Sequence, residues 1–181
     1  MFKSAFLLAS ALLVGSVARA QAPAAEVKAL TARLNQLLVD PKDQDNDTEV
    51  RVSLADCGFR QTVRKYRKPD KTSTTNIAVS NSKNGSSWGF KSNENVELEL
   101  TLAQEWAEVG SVTYAAKEHE KGGGHYYELT VKRREAPKGK SSSSGLASTI
   151  TLGLNTDNEQ EVAALARRLD EVRRQCTSRK G

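Results

Sequence analysis

The segment Val96-Glu97-Leu98-Glu99-Leu100-Thr101-Leu102-Ala103-Gln104 alternates large aliphatic residues with charged or small ones. Successive side chains of a β-strand point to opposite faces, so this alternation predicts a strand with one buried face and one solvated face. Glu97 and Glu99 would share a face, which is also the arrangement of a catalytic carboxylate pair. Their alternation with leucines favours a solvated face instead.

Shorter extended stretches lie on both sides of this strand and bring the expected number of strands to about seven. They are residues 50–54, 58–66, 74–80, 112–116, 127–131 and 150–154. The second is either a separate strand or a bent continuation of the first, and Ile77 and Val79 are the inward-facing candidates of the third. Segments rich in glycine, serine and asparagine separate the strands, and their length predicts mobile tips rather than tight hairpins. These segments are 81–87, 122–124 and 138–145.

A helical pattern stands at each end of the β-rich part. Pro23–Asp40 carries aliphatic residues at three- and four-residue steps and predicts an amphipathic helix. Near the other end, Thr156 and Glu159 have the spacing of a capping box, with a hydroxyl at the N-cap and a carboxylate three residues later. The residues that follow place one apolar stripe on a helix, formed by Val162, Leu165, Leu169, Val172 and Cys176.

The order of these elements predicts the α+β class. We expect a strongly bent antiparallel sheet or partly open barrel of about seven strands, with an N-terminal helix and a C-terminal capping helix. The 181 residues suit one domain. The predicted divisions are a signal peptide at 1–20, the N-terminal helix at 21–41, the β-rich domain with its C-terminal helix at 42–178 and a tail at 179–181. The rival arrangement packs both helices on one side of an open antiparallel sheet.

The first twenty residues have the composition of a bacterial export signal. Lys3 is followed by an uncharged, largely apolar stretch, and Ala18-Arg19-Ala20 has small residues at the two positions that signal peptidase reads. We therefore expect cleavage after Ala20 and a periplasmic or secreted protein. The alternative is an uncleaved membrane anchor, for which the stretch is short, and no transmembrane segment is expected in the mature chain.

The chain has two cysteines, Cys57 and Cys176. In an exported chain such a pair is more often bridged than free, so we predict a structural disulfide that pins the end of the last helix to the start of the sheet. A bridge over so long a loop is worth roughly 4–5 kcal/mol in the chain-entropy treatment. Two separate buried thiols are the alternative.

The two histidines, His119 and His125, flank a glycine-rich loop, with Glu118 and Glu120 beside the first. Two imidazoles and a carboxylate suit zinc or copper, but the spacing matches no standard metal motif. The pattern is more typical of exposed residues on a hairpin, and no cofactor is predicted. The sequence also has neither the G-x-S-x-G elbow of a serine hydrolase nor a phosphate-binding loop.

Basic residues cluster in two segments. The first surrounds Tyr66 and contains Arg60, Arg64, Lys65, Arg67, Lys68 and Lys71. The second contains Lys132, Arg133, Arg134, Lys138 and Lys140. These segments are candidates for binding an anionic envelope component, or serve only to keep sheet edges soluble. The net charge of +5, from 27 basic and 22 acidic residues, is modest, and a nucleic-acid partner is not expected.

The stretch Thr149-Ile150-Thr151-Leu152-Gly153-Leu154, followed by Glu161–Cys176, resembles the last strand and helix of small exported bacterial proteins with a pleckstrin-homology-like barrel. In that fold the final helix closes one open end of a strongly bent sheet. The resemblance implies a binding scaffold rather than a particular chemistry. Two features depart from it: the last helix lacks the tryptophan common in the eukaryotic domains, and the helix Pro23–Asp40 precedes the sheet.

Together these features predict an exported, non-enzymatic domain that binds a protein or an envelope component through its sheet edges and long loops. The first alternative is a carrier that encloses a small apolar ligand inside the barrel. The second alternative is a metal-dependent enzyme that uses His119 and His125.

Overall fold

A computed structural model describes residues 24–38, 47–68, 76–83, 85–118, 124–134 and 148–177. These residues form two α-helices and eight strands in two antiparallel sheets, which confirms the predicted α+β class. The predicted signal peptide at 1–20 and tail at 179–181 lie outside the described residues. The described strands do not close into a barrel, so the barrel stays a prediction.

The helices are α1 (Ala24–Leu37) and α2 (Glu159–Thr177), and a short 3-10 helix lies at Trp106–Glu108. The strands are β1 (Thr48–Ser53), β2 (Gly58–Tyr66), β3 (Ile77–Lys83), β4 (Ser86–Ser92), β5 (Val96–Glu105), β6 (Val109–Glu118), β7 (His125–Arg133) and β8 (Thr149–Leu154). A five-stranded sheet has the order β1-β2-β5-β4-β3, and a three-stranded sheet has the order β6-β7-β8.

The most clearly patterned strand, β5, lies at the centre of the five-stranded sheet. Leu100 of β5 is opposite Val63 of β2 on one side and opposite Phe90 of β4 on the other. The alternation in the sequence reflects this place, because each face of β5 meets matching side chains from both neighbouring strands.

The position of β4 corrects the prediction that residues 81–87 form a long loop. β3 continues to Lys83 and β4 begins at Ser86, with a turn between them in which Gly85 has a φ of 71°. A β-carbon on Gly85 would lie 2.6 Å from Cγ of Glu108, so the turn favours glycine on both grounds. The sequence does not predict β4, because its serines have little preference for a strand. Pairing with β5, rather than local propensity, makes this segment a strand. The described residues therefore contain eight strands rather than about seven.

Within its described part, α1 confirms the predicted N-terminal helix; residues 21–23 and 39–41 of that prediction lie outside the description. The helix buries three leucines in the core, namely Leu30, Leu34 and Leu37. Asn35 of α1 also reaches β1. Its Nδ2 donates to the carbonyl of Val52 at 2.9 Å, and the N–H of Val52 donates to its Oδ1 at 2.7 Å. This amide therefore covers the outer edge of β1.

The start of α2 differs from the predicted capping box. Its N-cap is Asn158, whose Oδ1 accepts the N–H of Glu161 at 3.1 Å, so the prediction that Thr156 caps the helix is wrong. The Oγ1 of Thr156 instead accepts the N–H of Asn158 at 3.2 Å, in the turn before the helix. Both residue types are good N-caps, so spacing alone does not rank neighbouring candidates. The apolar stripe is confirmed, since α2 buries Val162, Leu165, Leu169 and Val172.

The core joins both helices, the three-stranded sheet and one end of the five-stranded sheet. Trp106 and Phe59 are its largest fully buried side chains and meet edge-on, with ring centroids 5.6 Å apart. The strands β7 and β8 contribute alternate residues, namely Tyr127, Leu129, Val131, Ile150, Leu152 and Leu154. Much of the five-stranded sheet thus lies beyond the core.

The predicted pair Cys57 and Cys176 forms a disulfide, with the Cα atoms 5.5 Å apart. Cys57 lies in the tight turn between β1 and β2, where the N–H of Gly58 donates to the carbonyl of Ala55 at 2.9 Å. Both central residues of this turn have positive φ angles, 55° for Asp56 and 53° for Cys57, as a type I′ turn requires. The disulfide connects this turn to the end of α2.

Candidate functional site

A row of apolar side chains crosses the whole five-stranded sheet. The registers place Val63 opposite both Val50 and Leu100. They place Phe90 opposite both Leu100 and Val79. Opposed side chains in antiparallel strands point to the same face, so these five residues form one line, which we call the apolar row.

The apolar row becomes more exposed toward β3. Val79 is 52% exposed and its neighbour Ile77 is 47% exposed, whereas the other members of the row are half-buried. On the β1 side the adjacent row is covered, since Val52 and Gln61 are buried. The part of this face on β3, β4 and β5 is apolar and accessible. We call it the open face and define it by Ile77, Val79, Trp88, Phe90, Leu98 and Leu100.

The strand β3 forms one edge of the sheet and pairs only with β4 among the described residues. All seven of its residues are exposed, and those from Ile77 to Ser82 include neither a charge nor a proline. Lys83 supplies the only charge on the strand, at its end. Proteins usually protect sheet edges with charges, prolines, bulges or a covering element, because a bare edge pairs readily with another strand.

The other sheet edges in the described part carry such protection. β1 is covered by the amide of Asn35. On β8, the carbonyl of Thr151 accepts a hydrogen bond from Nε2 of Gln61 at 3.3 Å. β6 has a register shift near its start and ends in Lys117 and Glu118. Of the four edges that the described residues show, β3 is therefore the least protected.

The opposite face of the five-stranded sheet carries alternating charges. In register order this charge row runs through Glu49, Arg64, Glu99 and Lys91 and ends at Ala78. Arg64 lies 2.5 Å from Glu99 and 3.6 Å from Glu49. Lys91 lies 3.9 Å from Glu99. The ion pairs link β1, β2, β5 and β4 side by side and so favour this register.

Hydrogen bonds favour the charged forms of two members of the charge row, Glu49 and Arg64. Burial raises the pKa of Glu49, but hydrogen bonds from Tyr66 and Arg51 outweigh burial and leave this pKa below its usual value. The Oη of Tyr66 donates to Glu49 at 2.8 Å. The pKa of Arg64 is raised, first by its hydrogen bond with Tyr66 and then by that with Glu99.

The predicted anion-binding residues on β2 do not share one surface. The alternation of the strand places Arg60 and Arg64 on the face of the charge row and Lys65 on the other face. Arg64 is already paired with two carboxylates, and Lys65 lies 3.2 Å from Glu97. The expected positive stripe is therefore divided between two faces and partly neutralised.

The remaining members of this basic segment follow β2. Nη2 of Arg67 lies 3.4 Å from Oγ of Ser92, and Lys68 is exposed. Lys71 lies outside the described residues. Anion binding by this segment stays a prediction.

The second basic segment is only partly described. Arg133 lies 3.6 Å from Glu108 and donates to Oγ of Ser86 at 3.3 Å, while Lys132 and Arg134 are exposed. Two predicted members lie outside the description, namely Lys138 and Lys140. Within the described part of this segment, Arg133 joins the end of β7 to the 3-10 helix through Glu108 and to β4 through Ser86.

The histidine hypothesis is tested only in part by the described residues. His125 begins β7 opposite Glu118, and its ring centroid lies 5.5 Å from that of Tyr127. His119 and Glu120 lie outside the description. Within it, no group of three His, Cys, Asp or Glu side chains is placed to hold a metal ion. The metal-dependent enzyme stays a prediction.

A cleft of about 510 Å³ lies beside the disulfide. It is bounded by α1, the β1–β2 turn and the end of α2, and its apolar walls include Val27, Leu54 and Val172. The volume is within the range of small-molecule sites. The cleft lies at the surface between helices and a turn, whereas the carrier hypothesis expected a ligand inside a barrel.

The sequence predicts a strand at 74–80 in which Ile77 and Val79 face the interior. That assignment is wrong, because no described element covers the β3 end of the sheet and both side chains are exposed. No role is predicted for Trp88 and Phe90, because the sequence predicts no strand between the loop at 81–87 and the strand that begins at Val96. The signal that points to the edge is the uncharged run from Ile77 to Ser82 in a chain that is 27% charged.

Comparison with known proteins adds no family: no family model, curated protein or solved structure matches the chain significantly. Among the described helices, none combines the length and hydropathy that a membrane span needs.

Proposed function

We propose that this chain is an exported, non-enzymatic domain that binds an extended segment of another protein by adding it as a strand to β3. The observation that carries the proposal is the uncharged, exposed edge of β3 beside the open face. The sequence predicts binding through sheet edges. The open face adds an apolar surface beside the β3 edge, against which side chains of the bound segment can pack.

Strand addition uses the chemistry that β3 presents. The added segment bonds to backbone donors and acceptors along the edge, and its alternate side chains extend the apolar row beyond Val79. Covering Ile77 and Val79 removes apolar surface from water, which contributes about 25 cal/mol for each Å² buried, before the cost of ordering the segment. Trp88 and Phe90 offer aromatic surface to longer side chains that lean back over β4.

Two features support a working place outside the cytoplasm. The first is the leading segment with its Ala18-Arg19-Ala20 site, which has the pattern of a cleaved export signal. The second is the disulfide between Cys57 and Cys176, a bond that persists in oxidising compartments. We propose a periplasmic or secreted location on these grounds.

The pleckstrin-homology-like resemblance also belongs to this proposal. The order β6-β7-β8 followed by α2, which packs against β6 and β7, supports it. The five-stranded sheet, whose order is not sequential, and the helix α1 are additions that such a scaffold would have to accommodate. A crystal structure in which the two sheets bend around the core as a partly open barrel, with α2 at its open end and β3 still an unpaired edge, is the expected outcome.

The function is tested by placing charges on β3. Ile77→Lys together with Val79→Lys puts two ammonium groups where strand addition would desolvate them, so partner binding should weaken by about tenfold or more. Thr113→Lys, on the exposed edge strand β6, is the matched control and should bind normally. A partner captured from envelope extracts is purified and titrated against the three disulfide-bonded proteins.

Hydrogen exchange on the same complex locates the contact. Strand addition predicts slower exchange of backbone amides in β3 on binding, with little change in β6. A partner that binds the double lysine variant as tightly as the unmodified protein, or that protects only α2 and the three-stranded sheet, would contradict the proposed function.

The cleft beside the disulfide favours a second candidate function, the carriage of a small apolar ligand. Val27→Trp would fill the cleft, so any ligand that native mass spectrometry finds on the unmodified protein should be absent from this variant. Retention of the ligand by Val27→Trp would exclude the cleft as its site.

A further inference from the structure

We infer that the strand accepted by β3 alternates apolar with acidic residues. This inference rests on the proposed function of the β3 edge and specifies the chemistry of the partner. It follows from the two rows of side chains that cross the five-stranded sheet and stop at β3.

The last charged residue of the charge row is Lys91, and the residue opposite it on β3, Ala78, has no charge to pair with it. The signs of the row alternate from Glu49 through Arg64 and Glu99 to Lys91, and the next position is Ala78. The side chain of Lys91 is 66% exposed and its ammonium lies 3.9 Å from Glu99, at the limit of an ion pair. Lys91 is therefore held weakly on the β5 side and is available to a second carboxylate.

The small side chain of Ala78 leaves the way to that carboxylate open. A strand added to β3 lies about 4.8 Å beyond it, and the residue opposite Ala78 points to the face of the charge row. The flexible four-carbon stem of Lys91 can extend over the methyl group of Ala78 toward this residue. An acidic residue there continues the alternation of charges, whereas a lysine or arginine there would meet a like charge.

The face of the apolar row determines which residue types suit the alternate positions of the added strand. The residue opposite Val79 extends the apolar row, and the residue two places away lies beside Ile77 or Asn81. An aliphatic or aromatic residue in that place covers Val79, which is the most exposed member of the row. Apolar residues on one face and acidic residues on the other give the alternating pattern.

The sheet already contains a strand with this pattern. Val96–Leu102 of β5 reads Val-Glu-Leu-Glu-Leu-Thr-Leu. From Glu99 onward it pairs with the other side of β4, where Leu100 is opposite Phe90 and Glu99 is opposite Lys91. A second copy of β3 does not have the pattern, because Ile77–Ser82 includes no acidic residue. The complementarity therefore favours a different protein over self-association.

The test uses three fluorescein-labelled peptides. The first has the sequence Val-Glu-Leu-Glu-Leu-Thr-Leu, the second has glutamine at both glutamate positions, and the third has lysine there. Each is titrated by fluorescence anisotropy against the disulfide-bonded protein purified from an exporting host. We expect the acidic peptide to bind about two- to fivefold more tightly than the glutamine peptide at low salt and the lysine peptide to bind most weakly, with these differences shrinking as salt is added.

Lys91→Gln should remove most of the preference for the acidic peptide while leaving the affinity for the glutamine peptide unchanged. Lys117→Gln, on β6, is the matched control and should keep the preference. Equal binding of the three peptides, or a preference that survives Lys91→Gln, would overturn the inference and leave strand addition at β3 in place. If no peptide binds and the double lysine variant on β3 keeps its natural partner, the proposed function fails as well. Sedimentation that shows dimers lost only in the double lysine variant would overturn the inference in favour of a second copy.

Discussion

The two residues at the centre of the β1–β2 turn occupy a backbone region that most side chains avoid. Asp56 and Cys57 have φ angles of 55° and 53°. Aspartate and asparagine tolerate this region, whereas a β-branched residue does not. Asp56→Asn should leave the free energy of unfolding within about 0.5 kcal/mol of the original, and Asp56→Val should lower it by about 1–2 kcal/mol. Urea titrations with the disulfide intact measure both, and equal stability of the two variants would contradict the turn geometry.

Two carboxylates, Glu49 and Asp170, contribute to the response of the fold to acid. At Glu49 and Asp170 burial raises the pKa, but hydrogen bonds from neighbouring side chains outweigh burial and leave each pKa lowered. Arg173 and Arg174 bond to Asp170 at 2.7 Å and 2.6 Å. Since each folded-state pKa lies below the unfolded value, the stabilisation is complete above the ordinary values of 4.5 and 3.8 and is lost as pH falls through the lower folded-state values.

Replacing Asp170 with asparagine should make the free energy of unfolding depend less on pH in acid. Asp170→Asn should lower the free energy of unfolding near neutral pH but lose less of it between about pH 5 and pH 2 than the unmodified protein. Glu94→Gln, at an exposed turn position, is the control. Chemical denaturation across this range gives the comparison, and parallel curves for the unmodified protein and Asp170→Asn would show that the arginine contacts do not form in solution.

At the scale of elements, α1 stabilises the sheet by covering the edge of β1 through Asn35. Asn35→Ala removes two hydrogen bonds to the backbone of Val52 and should lower the free energy of unfolding by about 1–3 kcal/mol. Gln36→Ala, on the exposed side of the same helix, should change it by less than about 0.5 kcal/mol. Amide exchange of Val52 should accelerate only in the first variant. A variant at Asn35 that keeps both stability and slow exchange would mean that the helix covers β1 by packing alone.

The elements that sequence patterns identify well are those whose neighbours impose a strong period. β5 is flanked by β2 and β4 and shows clear alternation, and α2 shows its buried stripe for the same reason. β4 is not predicted from the sequence, because its first two serines fall in the predicted loop at 81–87 and no strand is assigned to residues 88–92. Pairing with β3 on one side and β5 on the other overrides the turn propensity of the serines. The sequence predicts Thr156 as the N-cap of α2, whereas Asn158 is the N-cap in the structure, because both residue types cap helices well and lie two positions apart.

At the scale of the whole molecule, the candidate site exists because no element of the described ranges packs against the β3 end of the five-stranded sheet. Ile77 and Val79 have the same period as buried residues, and only the placement of the helices and of the three-stranded sheet at the opposite end leaves them exposed. Such placement is a property of the tertiary structure, and the local sequence pattern does not predict whether another element will cover a strand face. The disulfide was predictable because the chain offers a single possible pairing.

The positions of the disulfide and of β3 predict that stability and binding are separable. The bond between Cys57 and Cys176 joins the β1–β2 turn to α2, whereas β3 lies at the far edge of the sheet, three strands from β2. Replacing both cysteines with serine should lower the free energy of unfolding by about 2–5 kcal/mol, because the unfolded chain loses a long cross-link. Peptide affinity at β3, measured where the variant is still folded, should change by less than about twofold, since no contact of the edge depends on the bond. A folded variant that loses peptide binding would show that the cross-link holds the five-stranded sheet in its binding shape, and the edge could not then be treated as an independent site.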